Sequence, residues 1–124
     1  MVKSNKLEQT VIGCAIEVHR ELGPGLLESS YEQCLAHELS LNSVQSKIQH
    51  PIPVGYKGIQ LDCGYRADIL VEERIILELK SVEELKKIHE AQLLTYMKLA
   101  GIGHGFLINF NVLKLKNGLK SFLL

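Results

Sequence analysis

Asp68, Glu78 and Lys80 stand in RADILVEERIILELKS (Arg66–Ser81), the most apolar part of the chain, where the pattern otherwise calls for Val and Ile. If RIILELK is a strand, side chains alternate between its faces. Ile75, Leu77 and Leu79 then share one face, and Ile76, Glu78 and Lys80 share the other. Glu72-Glu73-Arg74 reads as a turn back from a preceding strand that carries Asp68. A two-residue loop would pair Asp68 with Leu79 and bury the carboxylate without a partner. A three-residue loop, or one bulge, pairs it with Glu78. The odd register is therefore expected, and with it Asp68, Glu78 and Lys80 converge. Two adjacent carboxylates repel and raise a pKa, and a divalent cation relieves that. All-oxygen ligation suits Mg²⁺ or Mn²⁺, which can polarise a phosphoryl oxygen and activate a bound water. A lysine alongside can orient that water and offset developing negative charge. The set suits metal-assisted phosphodiester hydrolysis. It equally suits a buried Lys–carboxylate pair that only fixes the sheet, and these three residues alone do not separate the two.

The elements that must position them follow from periodicity. A first helix is expected over about Asn5–Leu22, with Leu7, Val11, Cys14, Ala15, Val18 and Leu22 inward and Asn5/Glu8 at capping-box spacing. Gly23-Pro24-Gly25 ends it. A second helix covers roughly Leu27–Leu41, with Tyr31, Cys34, Leu35 and Leu39 inward. SKIQHPIPVGY reads as an extended edge segment because of Pro51 and Pro53, and Lys57-Gly58 as a turn. GIQLDCGYRADILVE is expected as one long strand, bent at Gly64. A third helix is expected from Ser81, capped with Glu84, to Ala100, with Leu85, Ile88, Gln92, Tyr96 and Leu99 on one stripe. Gln92 interrupts that stripe and, as a core glutamine, needs a partner. With Tyr96 one turn later, it can reach the carboxylates or a substrate phosphate, although a tyrosine there also suits plain core packing. HGFLINF is a covered strand, and NVLKLKNGLKSFLL a last extended segment with Asn117-Gly118 as a hairpin signal. The order ααβββαββ is that of an α/β or α+β layered domain, in which the unit around Ser81–Ala100 is long enough for a parallel crossover.

The 124 residues fit one domain, 1–124, and 46% apolar content supplies a core without staples. Acids and bases balance at 14 each, so no global basic field marks a nucleic-acid binder. All acids lie at or before Glu90; Lys98, Lys114, Lys116 and Lys120 follow with none among them. This is either a solvated lysine face or a surface that meets phosphates. Cys14, Cys34 and Cys63 have no metal or disulfide spacing. They read as small apolar fillers in a reducing, cytoplasmic compartment. No membrane span or signal-peptide core is apparent.

Asp68, the Glu78-Leu79-Lys80 triplet and the Gln92-to-Tyr96 spacing together resemble the PD-(D/E)XK nuclease superfamily, and QxxxY after ExK is similar to its RecB-type branch. Gly25-Leu26-Leu27-Glu28-Ser29-Ser30-Tyr31 resembles the motif that names the GxxExxY family, and the likeness extends over nearly the whole chain. It implies a restriction-endonuclease-like mixed sheet flanked by helices. It further implies Asp68 and Glu78 as metal ligands with the Leu79 carbonyl as a third. Lys80 would orient the water or stabilise charge, and Glu28 would add to the metal or its water shell. Gln92 and Tyr96 would position the site or the nucleic acid. Ala67 stands where the superfamily's name has Pro. Read from the residues alone, Glu28 equally suits the first helical turn, favoured by the dipole, or a position just before a helix capped by Ser29 and Glu32. Tyr31 and Gly25 read as packing and turn residues. His89 shares a face with Gln92, whereas His19, His37, His50 and His104 lack ligand spacing. The expected function is a nuclease using Mg²⁺ or Mn²⁺ on DNA, or on RNA. The alternative is a nucleic-acid-binding or protein-interaction module of the same fold without turnover. The apolar tail KSFLL offers an edge strand for a homodimer.

Overall fold

The computed structural model describes residues 2–124, with side chains from Lys6 onward. Helices α1 (Val2–Leu22) and α2 (Glu28–Leu41) come first. They are followed by β1 (Ser46–Pro51), β2 (Val54–Tyr56), β3 (Ile59–Leu61), β4 (Arg66–Val71) and β5 (Ile75–Lys80). Helix α3 (Lys87–Ala100), β6 (His104–Asn109), a 3₁₀ turn (Leu115–Gly118) and β7 (Leu119–Leu123) complete the chain. The main sheet has the order β1-β4-β5-β6-β7, and β2-β3 form a separate ribbon. β5 and β6 run parallel across α3, as the strand–helix–strand spacing predicts, and the other neighbours are antiparallel. The result is the expected α+β layering, a mixed sheet with helices on both faces. Among the described residues no helix is long and apolar enough to cross a membrane.

Each face of the sheet buries its own core. On one, Val11, Ala15, Tyr31 and Leu35 of α1 and α2 pack on Ile69, Val71, Leu77 and Leu79. On the other, Leu93, Tyr96 and Met97 of α3 pack on Leu70, Ile76 and Leu107. The close seat of α3 depends on Gly105, where a Cβ would lie 2.7 Å from Met97 Sδ.

Several expectations are corrected. α1 begins at Val2, so Asn5 lies inside the helix and does not cap it; its side chain is outside the described ones. Leu22 and Cys34 are exposed, and so is Cys63, so only Cys14 is an apolar filler. The first two expected strands are each broken in two. Pro51 and Pro53 remove ladder donors between β1 and β2, and Asp62–Tyr65, with Gly64 at φ +82°, turns the chain between β3 and β4. α3 starts six residues later than its Ser81 capping signal indicates, at Lys87. Backbone groups that a helix would need are committed elsewhere: Val82 N–H and C=O both bond the Asn109 side chain, and Ser81 N–H faces Glu28. The helix opens instead with Lys86 N–H donating to His89 Nδ1 at 3.0 Å. Its buried stripe is Leu93, Tyr96 and Met97, which leaves Ile88 70% exposed. Asn117-Gly118 closes a 3₁₀ turn and not a hairpin. Gly118 is required there because a Cβ would sit 2.2 Å from the Asn109 carbonyl oxygen.

Candidate active site

The β4–β5 register pairs Ile69 with Leu77, Leu70 with Ile76 and Val71 with Ile75. The loop is therefore Glu72-Glu73-Arg74, of odd length, and Asp68 falls opposite Glu78. Glu72 and Glu73 adopt left-handed φ of +51° and +56°, at about 1–2 kcal/mol each. The register holds because Ile69, Val71, Ile75 and Leu77 are all buried, each contributing about 1.5–3 kcal/mol. A one-residue slip would carry the slipped strand's side chains to the opposite face and break the packing of both cores. Glu72 also ties the loop to the start of β1 by accepting from Gln45 N–H at 2.8 Å and donating its own N–H to Gln45 O at 3.0 Å.

Beyond Ile69 and Leu77 the ladder gives way. Asp68 N–H donates to Glu78 Oε1 at 3.1 Å, and Leu79 N–H donates to Asp68 Oδ2 at 2.7 Å. Each carboxylate thus takes a donor that would otherwise serve the sheet, and the two come close enough to share a proton. Glu78 is only 4% exposed. Burial first, then the Asp68 charge, pushes its pKa up to about 8. Burial also raises Asp68, against the bond from Leu79 N–H and the Lys80 charge. The pair titrates as a unit.

Lys80 lies at the same end of β5, its Nζ 3.5 Å from Gln92 Oε1, while Gln92 Nε2 donates to Tyr96 Oη at 3.2 Å. Gln92 so finds the partner its place in the stripe demanded. Tyr96 is buried, and burial and then the Glu78 charge raise its pKa. Glu28 occupies the first turn of α2, capped by Leu27 and not by Ser29, and is exposed. Its Oε2 accepts from Ser81 N–H at 3.4 Å, and its charge is felt by Asp68. The loop before it is closed by Tyr31, whose hydroxyl donates to Gly23 O at 2.6 Å and accepts from Leu26 N–H at 3.1 Å. The Tyr31 ring stacks on Phe110 at 4.3 Å. Gly23 and Gly25, at φ +71° and +98°, supply the positive-φ residues of that loop. Leu79 buries its side chain on the opposite face.

Three polar residues at the site escaped the sequence reading. Glu32, one turn after Glu28 and so on the same side of α2, is buried. Burial raises its pKa, partly offset by the bond from Gln49 Nε2 at 2.6 Å, with Asp68 and Glu28 adding repulsion. The i, i+4 spacing of Glu28 and Glu32 was the available signal. Gln49 lies on β1 at the break in the β1–β4 pairing opposite Asp68, at φ +51°. Asn109 clamps Val82 and so shapes the segment after Lys80. Of the other basic residues, Arg66 bonds Tyr65 O and Asp62, and Lys120 pairs with Glu90.

The donor chemistry fits a hard divalent cation: facing carboxylates, both driven toward protonation by burial, Glu78 further by Asp68 and Asp68 by Glu28, with negative charge that an ion would neutralise. Among the described residues no three His, Cys, Asp or Glu side chains form a cluster that could hold a metal ion. A family model described as the PD-(D/E)XK nuclease superfamily matches residues 5–122. The chain belongs to the PD-(D/E)XK nuclease superfamily. Searches of curated proteins and of solved structures gave no significant match. Nucleases of the PD-(D/E)XK superfamily generally use divalent metal ions and act on nucleic acids. The layered sheet described above is consistent with the superfamily's restriction-endonuclease-like fold.

Proposed function

We propose that this chain is, as one domain, a divalent-metal-dependent nuclease that hydrolyses phosphodiester bonds in DNA, with RNA as the alternative substrate. The observation that carries the reading is the meeting of Asp68 and Glu78 across β4–β5 with Lys80 on the same strand end. Asp68 and Glu78 would hold Mg²⁺ or Mn²⁺ with the Leu79 carbonyl, and Glu28 would reach the ion through water. Bound there, the ion supplies Lewis-acid polarisation of the phosphate and a more acidic water. Lys80 orients the attacking water and stabilises charge developing on the phosphate oxygens. Gln92 holds the Lys80 ammonium, and Tyr96 holds Gln92. Glu78, neutral at neutral pH without a cation, gives up its proton as the ion binds. The Gly25–Tyr31 segment and the Gln92–Tyr96 spacing support placement in the GxxExxY family and the RecB-type branch. Exposed strand β7, at the sheet edge with Leu123 bare, is the surface proposed for a homodimer. A cytoplasmic setting accords with three cysteines left free.

The test is incubation with labelled single- and double-stranded DNA and RNA plus Mg²⁺ or Mn²⁺, beside Lys80→Ala and Asp68→Ala. Cleavage by wild type and loss in both variants is the expected result. Equal cleavage by all three would locate the activity elsewhere. The second reading, a binding module of the same fold without turnover, draws on Glu28, which faces Ser81 N–H and leaves only two carboxylates facing one another. It would be upheld by nucleic-acid binding without cleavage or metal uptake.

A further inference from the structure

The β2–β3 ribbon is unlike the rest of the molecule. It stands outside the main sheet, pairs only with itself, and turns at Lys57-Gly58, both at positive φ as in a tight hairpin. An isolated two-stranded hairpin is marginal in water, yet this one spends its side chains outward. Tyr56 is 58% exposed, Ile59 54%, Leu61 44%, and Tyr65 at the ribbon's base 46%. Contiguous bare apolar groups of this kind mark a binding surface.

Its position says what it binds. β1 ends at Pro51, paired with Arg66, two residues before Asp68, so the ribbon springs from the end of the sheet that holds the carboxylates. Its base is firmly anchored: Ile52 is buried under α3 and donates its N–H to Tyr65 O at 2.9 Å. The Tyr65 ring lies 6.0 Å from that of Tyr96, which bonds Gln92 beside Lys80. Tyr65 thus links the ribbon's base to the buried Tyr96 at the margin of the candidate site. Charge points the same way. The ribbon Val54–Leu61 carries one charged residue, Lys57, and Arg66 at its base pairs with Asp62. Lys57 Nζ sits 5.3 Å from the Tyr56 ring centroid. The site itself gathers Glu28, Glu32, Asp68 and Glu78 around one lysine. A phosphodiester chain would meet less repulsion on the ribbon's side of the site, where exposed tyrosine rings are available to its bases.

We propose that the β2–β3 ribbon and Tyr65 form a base-stacking arm that takes unpaired nucleotides flanking the phosphodiester at the candidate site. The substrate class is then single-stranded nucleic acid or an unpaired stretch within a duplex. This rests on the nuclease reading for the class of ligand. A protein of zero formal net charge gains little from counterion release on a rigid duplex. Stacking on exposed rings is available only to bases that have left the helix.

The experiment is fluorescence anisotropy in chelator, so that nothing is cleaved, with a labelled single strand and the same sequence as a blunt duplex. Wild type should bind the single strand more tightly, with a shallow salt dependence. Tyr56→Ala and Tyr65→Ala should each weaken it about tenfold, and the Phe variants should restore it. Unchanged thermal unfolding and Mn²⁺ uptake show that the Ala variants keep the fold and site. Single-strand binding equal to wild type in the double Ala variant would overturn the arm, as would a duplex bound equally well and equally sensitive to both changes. So would a dimer that Tyr56→Ala dissociates while oligonucleotide affinity stays fixed, because the ribbon would then be a protein interface. The two readings fail separately. Tyrosine-dependent binding without Asp68-dependent cleavage defeats only the nuclease reading. Asp68-dependent cleavage with wild-type KM in the double Ala variant defeats only the arm.

Discussion

The β4–β5 hairpin has two halves built from the same strands. Near the turn, Ile69–Val71 and Ile75–Leu77 form a regular ladder with every side chain buried. At the far end, Asp68 and Glu78 take backbone donors from the sheet and press two carboxylates together. The closed half specifies register and supplies stability. The open half sits where the closed half places it and stores unfavourable electrostatics. A single residue of slip in the first would scatter the second, so the apolar ladder governs the geometry of the chemistry.

The comparison can be broken most sharply from the open half. Asp68→Ala should reduce metal-dependent cleavage to background, and Lys80→Ala should lower kcat by about 10²–10³-fold. Neither should lower the urea midpoint of unfolding as far as a truncation in the closed half. In the closed half, Leu77→Ala should cost about 2–5 kcal/mol of stability, read from denaturant unfolding, while kcat per folded molecule is retained.

The stored electrostatics have a pH signature. The folded pKa of Glu78, about 8, lies above the ordinary carboxylate value. The folded chain therefore holds a proton that the unfolded chain releases. The stability tied to that proton is complete below the unfolded pKa and is lost as pH rises through about 8. Without metal, unfolding free energy should fall by on the order of 2–4 kcal/mol between about pH 5 and pH 9. Glu78→Gln should flatten that fall and make the metal-free protein the more stable of the two at the alkaline end. A fall of the same size in Glu78→Gln would assign the proton to another group. Smallest of all, Tyr96→Phe removes one hydrogen bond to Gln92 and should lower kcat only severalfold, in line with about 0.5–1.5 kcal/mol, with KM for metal unchanged.

The hairpin was legible in the sequence because its register follows from parity: only an odd loop keeps Asp68 from being buried alone. The α1 face and the Lys57-Gly58 turn were legible for the same kind of reason, a local period or a local backbone need. The start of α3 was not. Ser81 and Glu84 make a good local cap, but Glu28, Leu26 and Asn109, all distant in sequence, compete for the same backbone and hydroxyl groups and win. Glu32 and Gln49 escaped because each is explained by the other, 17 residues away. Ile88 was misplaced because the face that meets the sheet centres on Leu93, Tyr96 and Met97, and Ile88, in the first turn, lies off it.

The most direct test of the open half is calorimetric titration of Mn²⁺ into wild type and Glu78→Gln in buffers of differing ionisation enthalpy, near pH 7. The account predicts saturable uptake by wild type, with release of the proton held by the Asp68–Glu78 pair, and loss of both uptake and proton release in Glu78→Gln. Equal uptake by the two proteins, or none by wild type, would contradict it.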